Sequence, residues 1–466
     1  MTAQFATGSA MAVVPEPGSA LRGLAAFVRD LTIDDVPPCT VACAKRALRH
    51  NLMVALAGRA ELVPGQDACP WPPGLPRAVS ATRLTDGAMA PADYAVVTNS
   101  LAMGGRAQHD EQPDAVCHFG SVVLPALLAA SEQSPASGAD FLIAMIAGYE
   151  VGTRLGARLL QYTAERGWRP TSVFGPFAAA AAVTKVRGCD EGTILSALSF
   201  AANSACGLTQ TWLSGSDEWR YQTAFAARDG YAAANLASAG ATGAADTIEG
   251  ARGFLTAFAG APERVPNLAE PLGERWAVDN LLLKPFPVCA FNQAPIQQLI
   301  GLMRDHRLSA DDVAHIEIRM PTADLSYPGV DVETEPTTRA AALMSLRTCA
   351  AIAAIHGDVD VVHLDNATSA QVRAVAQRVV LVRDDEIGSH MSVVGLRAAG
   401  HGTISSGAPA PVLYDETVGT EVLRRLRVPA GMTESQVTEF RQAVDDLDTA
   451  DDLGRLWAVV RQIVGR

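Results

Sequence analysis

Residues 173–185 read VFGPFAAAAAVTK, and this stretch decides the fold class. It is the longest dense apolar run in the chain, yet Lys185 ends it well short of the roughly 18 residues that span a bilayer. A helix that is apolar on nearly every side and too short for a membrane belongs among other helices. Working outward, residues 193–213 and 224–239 are further Ala-rich segments, and residues 139–160 continue a helical pattern for several turns. Upstream, Pro37-Pro38 and Thr40 open a segment whose one face carries Val41, Ala44, Leu48, Leu52 and Ala55, with Gly58 closing it. Residues 20–265 therefore read as one all-α domain.

The character changes near Pro266. Residues 315–320 (HIEIRM) and 379–383 alternate, residues 392–396 favour a strand, and a helical stretch, 341–355, lies between them. Residues 266–405 read as a smaller α+β unit, ended by the Ser-, Gly- and Pro-rich loop 404–411. Two amphipathic helices, 434–447 and 452–464, close the chain, so residues 406–466 are expected to return to the helical domain. Residues 1–19, rich in Ala, Gly and Pro, read as a loose arm; without an early Lys or Arg they lack the positive start of a secretory signal.

The 466 residues are 48% hydrophobic but only 6% aromatic, which suits helices that cross closely on small side chains. A net charge of -13 leaves no basic footprint for nucleic acid, and an anionic ligand would need a local group of cations. Eight cysteines without a CxxC pair read as free thiols in a reducing, cytoplasmic compartment.

The densest polar cluster is Gln108-His109-Asp110-Glu111-Gln112, followed by Asp114, Cys117 and His118. Imidazoles beside carboxylates suit acid–base work, and the same side chains could ligate a metal, although no recognised ligand spacing is present. Arg169, ahead of Thr171 and an Ala-rich helix, suits a carboxylate next to free helix amides. Asp217 to Gln222 is a further polar cluster, and Lys284-Pro285-Phe286-Pro287-Val288-Cys289 is held extended by its prolines. Walker loops, dinucleotide fingerprints and nucleophile elbows are absent from the sequence.

Together these stretches resemble the MmgE/PrpD family, which includes 2-methylcitrate dehydratases, cis-aconitate decarboxylase and iminodisuccinate epimerase. The resemblance covers residues 20–460. It is carried by residues 99–121 with their closing His118-Phe119-Gly120-Ser121, by Gly148-Tyr149-Glu150-Val151 and by residues 167–171 and 177–182. Ala226 to Gly230, Glu249 to Phe254 and Leu283 to Cys289 complete the set. It implies a large all-α domain with an inserted α+β lid, a homodimer, no cofactor and an active site between the two domains. The family's catalytic groups are only partly retained. Its helix-end aspartate is Ala107 here and the threonine of that motif is Glu111. Trp219 stands in the place of a lysine, beside Arg220, and Thr348 in the place of a tyrosine, beside Arg347. His118 and Lys284 remain, and Cys289 occupies a position that is His or Cys among relatives.

The resemblance implies a lyase, a dehydratase or decarboxylase, that abstracts a proton next to a carboxylate of a small di- or tricarboxylate. His118, Lys284, His109 and Asp110 are the expected catalytic groups; Arg169, Thr171, Arg220, Gln222 and Cys289 are the expected substrate contacts. The alternatives are a dicarboxylate epimerase, a metal-dependent hydro-lyase using His109, Asp110, Glu111 and His118, and a non-catalytic carboxylate binder.

Overall fold

The computed structural model describes residues 19–62, 80–260 and 272–465. The expected arm, Cys69 and the composition break at Pro266 lie outside these residues. The helical body comprises α1 (Ser19–Asp30), α2 (Pro38–Gly58), α3 (Ala92–Gly104), α4 (Gly120–Ser131), α5 (Gly138–Ala164), α6 (Pro170–Val186), α7 (Glu191–Ser204), the short α8 (Gln210–Ser214) and α9 (Glu218–Ser238).

Local chemistry fixes several of these bounds. Pro38 occupies the first turn of α2, where its missing N–H costs nothing. Ser137 and Asp140 form a reciprocal capping box at the start of α5. The central helix α6 is buried almost throughout, as its all-round apolar sequence requires. Its neighbours approach on small residues: a Cβ at Gly148 of α5 would lie 2.7 Å from the Ala178 carbonyl oxygen, and one at Gly230 of α9 would lie 2.5 Å from that of Pro176.

The segment expected as one helix over 193–213 is broken. α7 ends at Ser204, and Gly207 takes φ 113, which only glycine adopts without strain. The carbonyl of Gly207 accepts the Arg169 N–H at 3.0 Å, so the break serves to hold the start of α6. The expected helix over 341–355 is likewise two, Arg339–Met344 and Leu346–His356. Ser345 ends the first and caps the second, with an extended ψ of 108.

The strands beyond the helical body form a mixed sheet. Val313–Met320 is its centre, paired parallel to Val379–Arg383 and antiparallel to Met391–Ala398, which in turn pairs with Gly402–Ser405 and Ala410–Pro411. Ile316, Ile318, Val394 and Leu396 on one face pack with Ile296 and Leu299 of helix Gln293–Asp305 in a second hydrophobic core. The first core fills the helical body and takes in Val422, Leu426, Phe440, Trp457 and Ile463 from the closing helices Glu416–Arg427, Glu434–Asp445 and Gly454–Val464. The described cysteines are all unpaired, and among the described residues no helix is long and apolar enough to cross a membrane.

Candidate active site

Between the two cores lies a small cavity. The loop between α3 and α4 supplies one side of it. Ala107 and Val116, near the two ends of this loop, sit at φ 53 and 50, a left-handed conformation uncommon for such residues and held by the surrounding structure. Gln112 and Cys117 exchange backbone hydrogen bonds at 2.8 and 3.3 Å, which closes the loop tightly. Glu111 pairs by backbone with Leu282 in both directions, at 2.9 and 2.8 Å. This pairing brings the extended segment carrying Lys284 and Cys289 against the loop carrying His118.

His109, His118, Arg169, Thr171, Lys284 and Cys289 all line the cavity. His118 Nδ1 lies 2.8 Å from the Asp110 carbonyl, which can only accept, so Nδ1 carries the proton and Nε2 the lone pair. Nε2 is 3.6 Å from Glu111 Oε2. The His118 backbone N–H donates to Thr171 Oγ1 at 3.1 Å. The His109 ring stands edge-on to that of His118, with centroids 4.4 Å apart. Burial, assisted by the Lys284 charge, lowers His118 to about 3. Burial and the same cluster of cationic groups lower His109 well below its ordinary value. Both imidazoles are therefore neutral near pH 7.

Two cations face them. Burial lowers Lys284 to about 8, with Glu111, Cys289 and Asp110 opposing, so the amine is mostly protonated at neutral pH. It makes no hydrogen bond or ion pair among the described residues. Arg169, lowered by burial to about 10, stays charged. It donates to the Trp219 carbonyl and, at 3.2 Å, to Gln222 Oε1, and its guanidinium lies 5.1 Å from the Trp212 ring centroid. Arg169 also has no carboxylate partner among the described residues. The Cys289 thiol is pushed up to about 12 by burial and remains protonated.

Three expected site residues stand back from the cavity. Asp110 is fully buried behind the loop; its carboxylate accepts from the Tyr149 hydroxyl at 2.5 Å and the Gly120 N–H at 3.0 Å. It braces the start of α4 and presents its carbonyl, not its carboxylate, to His118. Arg220 reaches the Glu61 carbonyl at 3.4 Å and lies over the Trp219 ring, 4.9 Å from its centroid. Gln222 bridges Arg169 and the Leu208 carbonyl, and so holds Arg169 without lining the cavity. The alternative metal quartet is dispersed by the same placement of Asp110. Among the described residues, no three or more His, Cys, Asp or Glu side chains are arranged to hold a metal ion.

The site also contains residues outside the expected catalytic groups and substrate contacts; of these the sequence reading placed Glu111 only in the alternative metal set. Glu111 lines the cavity, and its Oε1 accepts from His390 Nε2 at 2.7 Å. Burial alone would raise the Glu111 carboxyl, but His390, His118 and Lys284 hold it below its ordinary value. His390 in turn would be lowered by burial; its bond to Glu111 and the charges of Glu111 and Asp324 raise it instead. Its backbone N–H donates to Asp324 Oδ2 at 2.7 Å, and Ser389 Oγ joins Nδ1 to the same carboxylate, with contacts of 3.0 and 2.8 Å. Trp212, Trp219, Phe291, Tyr327 and Met344 complete the walls. Trp219 at its family-aligned position was legible in the sequence. His390 was not, because a lone His in a turn carries no signal of a partner 279 positions away.

Fold and site together define a two-core protein with an internal cavity, lined by imidazoles, a carboxylate and two cations, between a helical part and an α+β part. The chain belongs to the MmgE/PrpD family: the family's N-terminal domain matches residues 22–266 and its C-terminal domain residues 286–399. It is similar to the cis-aconitate decarboxylase of Aspergillus terreus, 26% identical over 471 residues, spanning 92% of this chain and 93% of that protein. A cis-aconitate decarboxylase-like protein of Aspergillus oryzae is 26% identical over 483 residues, spanning 95% of this chain and 97% of the relative.

Proposed function

We propose that the chain is a lyase that works next to a carboxylate of a small organic acid, with His118 as the acid–base group. The observation that carries this reading is the His118 ring. Its tautomer is fixed by the Asp110 carbonyl, and its bare Nε2 lies in a cavity with the cations Lys284 and Arg169. Family membership and the decarboxylase relatives support the same chemistry.

In a dehydration, Nε2 takes the proton from the carbon beside the carboxylate and the C–H electron pair forms an enolate. Lys284 neutralises the developing charge. The electrons then form the C=C bond as the β-hydroxyl takes the proton from the His118 imidazolium and leaves as water, which returns His118 to its neutral form. In a decarboxylation, the C–C bond breaks, CO2 departs, and the carbon that keeps the electron pair takes a proton from His118, which has drawn one from solvent once the bound anion has raised its basicity. An imidazole held at about 3 by burial and the neighbouring cations is a weak base. An anionic substrate placed between it and the two cations offsets their charge and raises its basicity.

Proton NMR in D2O with a panel of small carboxylic acids tests the proposal. Deuterium entering the carbon next to a carboxylate together with a new alkene signal is the dehydratase outcome, and release of CO2 is the decarboxylase outcome. Exchange with stereochemical inversion and no net loss would replace the lyase by an epimerase.

A further inference from the structure

Resting on the lyase reading of this site, we infer that the substrate is a dicarboxylate with an apolar body, and that the cavity rejects tricarboxylates. The argument begins with charge. The ionisable groups lining the cavity are His109, Glu111, His118, Arg169, Lys284, Cys289 and Tyr327. The two imidazoles are neutral, and burial keeps the thiol and the phenol protonated. Glu111 is matched by His390 at 2.7 Å. What remains are two cations, Arg169 and Lys284; neither forms an ion pair or a hydrogen bond with a carboxylate among the described residues, and Glu111, which favours the Lys284 charge from a distance, is already bonded to His390. Two carboxylates satisfy them.

A third carboxylate would find no cation. Arg220, the nearest candidate in the sequence, does not line the cavity and is engaged with the Glu61 carbonyl and the Trp219 ring. A buried charge without a partner is strongly disfavoured or loses its ionised form. Glu111 would add repulsion to that cost.

The remaining wall is hydrocarbon and aromatic. Val116, Val288, Leu343 and Met344 line it together with Phe291, Trp212 and Trp219, and the two indoles lie 5.6 Å apart at 35°. Such a wall favours an alkyl or unsaturated substituent in the place where a third carboxylate would sit. Among the described residues the buried Trp219 Nε1 makes no hydrogen bond.

The experiment is calorimetric titration of the purified protein with citraconate, mesaconate and 2-methylmalate against cis-aconitate and citrate, repeated with Trp219→Lys. The expected result is binding of at least one methylated dicarboxylate about tenfold tighter than either tricarboxylate, a difference of about 1.4 kcal/mol. In Trp219→Lys, checked for folding by its melting curve, cis-aconitate should gain about the same factor. A tricarboxylate binding as tightly as every dicarboxylate in the unsubstituted protein, or no dicarboxylate binding at all, overturns the inference. D2O exchange on the same ligands separates the two readings. Tight dicarboxylate binding without exchange or product keeps the ligand class and removes the lyase; turnover with tricarboxylates preferred does the reverse.

Discussion

Glu111 Oε1 and His390 Nε2 meet at 2.7 Å, joining the loop after α3 to the turn that leads into strand Met391–Ala398. The contact crosses from the helical domain to the α+β domain and is buried from both sides. Asp324 grips the backbone N–H of His390, whose φ of 62 is itself left-handed. The carboxylate beside His118 is therefore oriented by a residue of the other domain.

His390 orients the Glu111 carboxylate that faces His118, so His390→Ala should lower kcat by about tenfold to a hundredfold, the equivalent of losing one hydrogen bond to a charged group. His390→Gln, which keeps a donor, should recover part of that loss. Equal rates in all three proteins would show that the contact only joins the domains.

His118→Ala should cost about 10²- to 10⁴-fold in turnover, the usual contribution of a positioned acid–base group, with an unchanged melting curve. Near-normal rates would remove His118 from the mechanism.

Arg169→Ala should raise KM far more than it lowers kcat, because a grip on a distal carboxylate is made equally in the ground and transition states. Steady-state kinetics on the best acid of the panel decide this, and an unchanged KM would leave Arg169 as a structural brace for Trp219 and Gln222.

Lys284 gives the pH dependence a definite sign. Its pKa is lowered to about 8, so the cation is present below that pH and is lost as pH rises through it. The high-pH limb of kcat/KM in the free enzyme should fall near 8. Lys284→Arg, where active, should carry the limb above pH 10; a limb that stays in place assigns it to another group.

Gly120→Ala should destabilise the fold by about 1–3 kcal/mol, the usual cost of overpacking a filled site. The new Cβ would lie 2.3 Å from Asn51 Nδ2 and 2.6 Å from Asp110 Oδ1. A melting temperature equal to that of the unsubstituted protein would mean that this bracing is looser than the geometry implies.

Much of the helical body could be read in advance because its ends carry their own chemistry: Pro38 and Gly58 bound α2 at the expected residues. The strands 315–320 and 379–383 announced themselves by alternation. Reading failed where a residue serves a distant partner. Nothing local in residues 193–213 shows that Gly207 must turn to accept the Arg169 N–H. Likewise, the spacing of His109, Asp110 and Glu111 marks a polar loop but does not say which side chains face inward. The Tyr149 hydroxyl and the Gly120 N–H draw Asp110 away, while Leu282 and His390 aim Glu111 at the cavity.

The second core does not end where the family's C-terminal domain ends. Ala107, Trp212 and Trp219 pack in it with Phe286, Phe291 and Met344, although all three are carried by the chain of the helical domain. A chimera exchanging only residues 286–399 between relatives would set a foreign ceiling on a native wall. The transplantable unit must include the α8–α9 segment and the loop at Ala107 as well. On the inference drawn above, selectivity is inherited as three separated pieces of chain, the α3–α4 loop at Ala107, the α8–α9 segment and residues 286–399, that have to change together.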